Sequence, residues 1–336
     1  MTRIYEDALK AYEHNYVAHE ARWDLCKQIG MSYRNATALR FGFAGNSETA
    51  LYDLLQTLHY DKQAIIDSGL CCLQEDGTVK DVIQNSLVFP RYNLQTELSG
   101  FLIYDLSKSI WTQISIPGSD AFLGDHIDKR AEFLILCETP DQTLKLMACG
   151  LSNVIYGSIA ENMDSLKSVR GPIILFPMVR ENSAWVQQAL TVLQESGIAV
   201  FCANDYLTDQ QFEAIENVDS DELGDYLAIG NVFLWCNSET TQIEIPQGIK
   251  FISNNAFTEC YDIEKIVIPD GVEKLNTKLF SADMLKELHI PASVKEINPF
   301  ILSRDANCTV YTTKGTAAEA FAKTTHQKLV IKVQVK

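Results

Sequence analysis

Short continuous apolar runs alternate with helically spaced stretches through the middle of the chain. Phe133–Cys137 (FLILC), Ile173–Phe176 (IILF) and Ile198–Cys202 (IAVFC) have the length and texture of strands buried on both faces. Asn153–Tyr156 is a further short strand. Asp141–Cys149 and Ala160–Ser168 carry helical spacing. Ser183–Ser196 places Ala184, Val186, Ala189, Leu190 and Leu193 on one helical face, with Gly197 just past its end as a C-cap. Strands alternating with helices predict a parallel sheet covered on both faces. Gly42-Phe43-Ala44-Gly45 is read as a turn.

The pattern changes after residue 225. Ile243 (IEIPQGIKFISNNAF), Ile266 (IVIPDGVEKLNTKLF) and Leu288 (LHIPASVKEINPFIL) begin three segments that align, with Pro246, Pro269 and Pro291 at steps of 23 and 22 residues. Each unit is a short strand ending in Ile-Pro, then a turn, a second short apolar stretch and an apolar pair. One such unit cannot bury its own apolar residues, so the repeat predicts a stacked solenoid. Successive units would align Ile243, Ile245, Ile249, Ile252 and Phe257 with Ile266, Ile268, Val272, Leu275 and Phe280. Proline suits the strand end, where no ladder donor is needed. Tyr226–Thr241 reads as a lead-in unit. Glu213–Asp225 (EAIENVDSDELGD), acidic throughout, reads as a solvated linker.

At 336 residues the chain is long enough for two or three domains, and 46% apolar with 21% charged residues is ordinary globular composition. The formal net charge of −16 opposes a broad nucleic-acid-binding surface. Residues 1–130 hold 12 Lys/Arg against 17 Asp/Glu, and Arg34, Arg40, Arg91, Lys129 and Arg130 are spaced apart. A local basic patch would need folding to unite Arg34, Arg40 and Arg91 with Tyr33 and Tyr92. The polar N-terminus carries no secretory pattern, and the apolar runs fall far short of the ~20 residues of a membrane helix. Nine cysteines lack paired spacing, and several sit inside apolar runs. They read as reduced, buried thiols of a cytoplasmic protein without a zinc site. G-x-S-x-G, Walker A, G-x-G-x-x-G and H-E-x-x-H motifs are absent from the sequence.

Ala256-Phe257-Thr258-Glu259-Cys260 with Ile263, following an Ile-Pro strand, resembles the units of BspA-type leucine-rich repeats. The later units depart from that wording at Leu279-Phe280 and Pro299-Phe300. The end from Cys308, CTVYTTKGTAAEAFAKTTHQ, resembles the terminal cap of the same family. The resemblance covers about residues 225–336 and implies a small curved solenoid with a protein-binding surface.

Upstream, four features in order resemble the catalytic core of bacterial DNA primases, which carries a TOPRIM fold. They are Gly30-Met31-Ser32 with Phe41-Gly42-Phe43, the stretch Leu51–Leu70, Phe89-Pro90 with Gly100-Phe101, and the strand–helix alternation through Asn204. TOPRIM enzymes use divalent metal, with a glutamate after the first strand and an Asp-x-Asp after a later one; a hard cation requires such oxygen ligands. The matching glutamate is Glu138, after FLILC. The glycine that usually follows is replaced by Thr139, and Asp141 falls one position early. After IILF, where the family has Asp-Gly-Asp, this chain has Pro177-Met178-Val179, followed by Arg180 and Glu181.

The sequence therefore predicts an α/β protein: a TOPRIM-like parallel-sheet domain followed by a short leucine-rich-repeat solenoid. The boundaries read are 1–130 (primase-core-like N-terminal subdomain), 131–212 (degenerate TOPRIM-like domain), 213–225 (linker) and 226–336 (repeats with cap). The expected function is a catalytically inactive scaffold with a protein-binding repeat module, without cofactor or metal, Glu138 being a vestige. Primase-like cores occur in phages and conjugative elements, so the resemblance implies a bacterial mobile-element origin. One alternative is an active nucleic-acid enzyme, primase or nuclease, with relocated ligands Glu138, Asp141 and Glu181. A second is a repeat-bearing surface interaction protein.

Overall fold

The computed structural model describes residues 2–20, 22–28, 40–93, 95–116, 119, 122–124, 132–178, 183–258, 260–276, 285–302 and 307–331. The chain forms two compact units: Met1–Ala148 with Asn153–Ala199, and Cys149–Ser152 with Val200–Lys336.

The first unit is built on one mixed sheet. Its strands are β1 (Gly42–Ala44), β4 (Ser86–Tyr92), β5 (Leu98–Asp105), β6 (Ile110–Ser115), β7 (Phe122–Gly124), β8 (Leu134–Cys137), β9 (Val154–Tyr156) and β10 (Ile173–Phe176); β2 (Cys71–Leu73) and β3 (Val79–Asp81) form a separate ribbon. The order is β10-β8-β9-β7-β4-β5-β6, with β1 also on β4. The apolar runs of the sequence are the parallel part: β10 pairs β8 from Ile173↔Leu134 to Phe176↔Cys137, and β8 pairs β9. All four residues of β8 and of β10 are buried. The helix Ala184–Glu195 follows its predicted course. Ser183 Oγ accepts from the Val186 N–H at 3.1 Å, Val186, Ala189 and Leu193 face inward, and Gly197 takes φ +77° beyond the end.

The antiparallel part is less evident in the sequence. Gly42–Ala44 is not a turn but strand β1, paired antiparallel with β4 from Gly42↔Val88 to Ala44↔Ser86. The glycine is there because the helix Thr2–Ala18 crosses it. A Cβ on Gly42 would sit 2.4 Å from both the carbonyl carbon and the Cβ of Tyr12. Strand β4 is buried along its whole length. Its Pro90 lies at the break between β1, which reaches Val88, and β7, which begins opposite Arg91. A residue without an N–H is tolerated at such a gap in the ladder.

The second unit begins with β11 (Val200–Cys202) and the helix Asp209–Asn217. The acidic stretch 213–225 is thus not a solvated linker. It contains the second half of that helix and the 3-10 turn Ser220–Leu223. Thr208 and Gln211 form a capping box at the helix start, and Phe212, Ala214, Ile215 and Leu223 are buried. The acidic composition marks the outer face of an amphipathic element.

Then come β12 (Tyr226–Ile229), β13 (Val232–Cys236), β14 (Gln242–Glu244), β15 (Phe251–Ile252), β16 (Lys265–Val267), β17 (Lys274–Leu275), β18 (Glu287–His289), β19 (Glu296–Ile297), β20 (Thr309–Thr312) and β21 (Lys328–Ile331). Strands β14-β16-β18-β20-β21 form a parallel sheet in register, so that Ile243, Ile266, Leu288 and Val310 make one buried row. The residue before each proline still donates to the next strand: Ile245 to Val267 O (3.0 Å), Ile268 to His289 O (3.0 Å), Ile290 to Tyr311 O (2.9 Å). The ladder stops at the proline, as its missing donor requires. On the other side of the core β17 pairs β19, and β13 pairs β15, with the Phe233 and Phe257 rings stacked at 5.5 Å and 19°. The predicted partner of Phe257 in the second unit, Phe280, lies outside the described residues. The C-terminal end is covered by the helix Ala317–Thr324, which inserts Ala318, Phe321 and Ala322 into the core before β21.

Candidate functional site

The site read from the sequence lies at the ends of β8 and β10. Glu138 directly follows β8, and its N–H donates to Phe176 O at 3.1 Å, extending the ladder by one step. Thr139 precedes a helix that starts at Pro140, a residue pre-set for the first helical position, and Thr139 Oγ1 accepts from the Gln142 N–H at 3.3 Å. The Glu138 carboxylate is thereby turned toward the exit of β10. Its Oε2 accepts the Met178 N–H at 2.7 Å. Gln142, 3% exposed, donates Nε2 to the Pro177 carbonyl. Two side chains from one segment thus hold both main-chain groups that β10 presents where it ends.

Asp141 is directed elsewhere. Its Oδ2 accepts the indole N–H of Trp111, on β6, at 3.0 Å. Trp111 in turn packs on Phe89 (5.5 Å) and Tyr104 (4.9 Å). Glu181 and Val179 lie outside the described residues. Among the described residues the site is poor in carboxylate ligands for a divalent cation. Of the two described carboxylates, one is hydrogen-bonded to the main chain and the other to an indole, and Pro177-Met178 supplies no acidic side chain. Among the described residues no group of three His, Cys, Asp or Glu side chains is placed to hold a metal ion.

Of the basic residues considered for a nucleic-acid patch, Arg40 and Arg91 are described; Arg40 lies against Tyr92 and is ion-paired, and Arg91 is buried. Arg40 makes a two-pronged pair with Glu13, Nε to Oε1 at 2.8 Å and Nη2 to Oε2 at 3.3 Å. Arg91 is 1% exposed inside β4, its Nη1 donating to Ser115 Oγ at 3.0 Å, and burial holds its pKa below the usual arginine value. Tyr92 is also buried. Arg34, Tyr33, Lys129 and Arg130 lie outside the described residues. Trp111 and Gln142, which occupy the neighbourhood of Asp141 and Pro177, were not legible as site residues; no spacing signal ties Trp111 to a helix 30 positions away.

The repeat unit offers a different surface. Flanking its buried row, the parallel sheet turns Lys265, Glu287, Val267, His289 and Tyr311 toward solvent, all half-buried. His289 and Tyr311 stack at 4.3 Å with 10° between planes, and His289 Nε2 lies 3.3 Å from Glu287 Oε2. Beside them Asp270, Pro291 and Thr313 border a depression of about 220 Å³. Along the edges, charges from neighbouring repeats pair, Lys286 with Glu264 (2.5 Å) and Lys295 with Glu273 (2.7 Å). Such exposed pairs are worth only about 0–1 kcal/mol each.

Residues 204–336 match the BspA type leucine rich repeat region, in six copies. The C-terminal resemblance read from Ala256–Cys260 falls within this match. The first-unit resemblance is carried by solved structures. The RNA polymerase domain of Mycobacterium tuberculosis primase DnaG, in complex with a double-stranded DNA oligomer bearing a 6-nucleotide overhang, matches at TM-score 0.51 and 16% identity over 66% of this chain and 78% of that one. The Aquifex aeolicus primase zinc-binding and RNA polymerase domains match at TM-score 0.54 and 17% identity, over 66% of this chain and 59% of theirs. The Escherichia coli primase catalytic core matches at TM-score 0.50 and 15% identity over 62% and 72%. At such identities the likeness is one of fold. No curated protein matches the chain. Among the described residues no helix is long and apolar enough to cross a membrane.

Proposed function

We propose that the chain is a catalytically inactive, primase-core-like scaffold joined to a leucine-rich-repeat module that binds a protein partner. The observation that carries this reading is the Glu138–Met178 hydrogen bond. Where the primase resemblance calls for two metal-binding carboxylates, the chain has Pro177-Met178-Val179, and the one matching glutamate is spent on the main chain there. Phosphoryl transfer depends on cations that neutralise charge developing on the phosphate oxygens. The replacement of the acidic pair and the engagement of Glu138 and Asp141 in other hydrogen bonds support a site without such cations.

The primase structures that share the fold include a complex with DNA. For this chain the net charge and the engagement of Arg40 with Glu13 favour a protein as the main partner. The half-buried His289–Tyr311 stack on the repeat sheet is the surface proposed for it, aromatic residues being the commonest anchors of protein interfaces. The compartment proposed is the cytoplasm, which fractionation of the native host tests.

The test of inactivity is direct. Pure protein is incubated with single-stranded template, nucleotides and Mg²⁺ or Mn²⁺. The expected result is no primer synthesis and no template cleavage. Product that disappears in Glu138→Ala would overturn the reading and favour the relocated-ligand enzyme.

A further inference from the structure

Two buried cysteines of the repeat unit converge on one carbonyl. Cys236, at the end of β13, and Cys260, after the Ala256-Phe257 turn, are 1% and 0% exposed. Cys260 Sγ lies 3.4 Å from both Cys236 O and Asn237 O, and Cys236 Sγ lies 3.8 Å from the same Asn237 O. The main chain fixes the two segments together, since the Cys236 N–H donates to Ala256 O at 2.9 Å. A hydrogen bond from the Cys260 thiol, with a weaker one from Thr240, holds the Cys236 pKa below its usual value against the effect of burial. Cys71, Cys137, Cys149, Cys202 and Cys308 all shift the other way, pushed up by burial. The thiols are free in this structure.

We propose that Cys236 and Cys260 are an oxidisable dithiol, converted by hydrogen peroxide to a disulfide that ties the β12–β13 hairpin to the first repeat turn. Cys236 is assigned as the attacking thiol, the Cys260 thiol being placed to donate a hydrogen bond to its sulfur. The thiolate displaces hydroxide from peroxide, giving a sulfenic acid on Cys236. The Cys260 sulfur then attacks that sulfur, its proton leaves with the departing hydroxyl, and water is released. Two thiols are oxidised and one peroxide is reduced to two waters. Peroxide is small enough to reach a buried pair through local opening of the turn. The link joins two positions 24 apart in sequence and restricts the unfolded chain.

The test uses the full chain, reduced, desalted and exposed to graded hydrogen peroxide, then alkylated under denaturing conditions and mapped by peptide mass spectrometry. The expected result is a dominant Cys236–Cys260 linkage lacking the two thiol hydrogens, and its loss on treatment with dithiothreitol. In Cys260→Ala, dimedone should trap Cys236 as the sulfenic acid; in Cys236→Ser no linkage to Cys260 should form. The unfolding midpoint of the oxidised protein should rise and return on reduction. Both thiols remaining alkylatable at a dose that oxidises the partly exposed Cys72 would overturn the proposal. So would preferential linkage of either to another cysteine. The wild-type map decides the matter even if a variant misfolds.

Discussion

The Glu138 carboxylate accepts the main-chain N–H of Met178 at 2.7 Å, across the ends of two parallel strands. Under the proposed function this contact makes a glutamate that the primase resemblance marks as catalytic into a structural strap. The two roles predict different chemistry for the same substitutions. As a strap, Glu138→Gln retains an acceptor oxygen and should unfold within about 0.5 kcal/mol of wild type, while Glu138→Ala should cost about 1 kcal/mol. As a metal ligand, the Gln variant would lose Mg²⁺-dependent activity outright. Urea denaturation of the two variants beside the nucleotide-incorporation assay separates the roles.

Gly42 should be intolerant of even one added methyl group. Its Cβ would meet Tyr12 backbone and Cβ atoms at 2.4 Å, and neither can swing away without moving the helix Thr2–Ala18. Gly42→Ala should therefore cost about 3 kcal/mol or more. Gly45, where an added methyl group would meet nothing within 4 Å, is the control, and Gly45→Ala should be within about 0.5 kcal/mol of wild type. Urea midpoints of the two variants, measured by circular dichroism, provide the comparison.

Gly42 also indicates where sequence reasoning loses its grip. The stretches FLILC and IILF were legible because a parallel strand buried on both faces must be apolar at every position. The repeats were legible because each unit must present the same apolar row to its neighbour, and Ile243, Ile266, Leu288 and Val310 do so in register. Gly42 needs to be glycine only because a helix 30 residues earlier lies across it, and no local pattern records that. Arg91 misled for the same reason: a charged residue reads as surface until the strand that buries it is known. The acidic run after Glu213 read as linker because half of an amphipathic helix, seen without its partner, is merely polar. At the candidate site the missing carboxylates were visible in Pro177-Met178-Val179. The Trp111–Asp141 bond was not, since it joins an edge strand to a helix start.

In the repeat unit, stability should rest on the aromatic stack rather than on surface charge pairs. Phe257 is fully buried and stacked on Phe233 at 5.5 Å. Phe257→Ala should cost about 3–5 kcal/mol. Phe300, 60% exposed, should be replaceable by alanine within about 0.5 kcal/mol. Equilibrium urea unfolding followed by circular dichroism reports both.

Asp81 gives a pH dependence with a definite sign. It is 5% exposed, accepts from the main-chain N–H groups of Leu51 (2.8 Å) and Tyr52 (2.9 Å), and burial nonetheless raises its pKa above 3.8. The folded chain therefore holds this proton more tightly than the unfolded chain. Between the unfolded value and the raised folded one the native state binds more protons, so this residue's contribution falls as pH rises through that window. Asp81→Asn removes the dependence while keeping one acceptor oxygen. The urea midpoint of the variant minus that of wild type should climb as pH is raised from 3.8 upward and then level off. A difference that stays flat or declines would show that the two amide bonds outweigh desolvation.

The repeat face can be tested without knowing its partner. His289 and Tyr311 stack at 4.3 Å on the solvent side of β18 and β20, while the buried row of those strands is Leu288 and Val310. Replacing Tyr311 by alanine removes half-buried aromatic area from the surface and leaves that row intact, so the fold should lose no more than about 1–2 kcal/mol. An interface anchored on the stack would lose far more, since truncating an aromatic hot spot typically costs at least about 2 kcal/mol of binding free energy. Tagged wild type and Tyr311→Ala, expressed at equal level in the native host, are compared by affinity purification and quantitative mass spectrometry. A protein enriched with wild type and depleted by roughly thirtyfold or more with the variant fits a partner held on this face. Equal recovery with both would move the binding surface away from the parallel sheet.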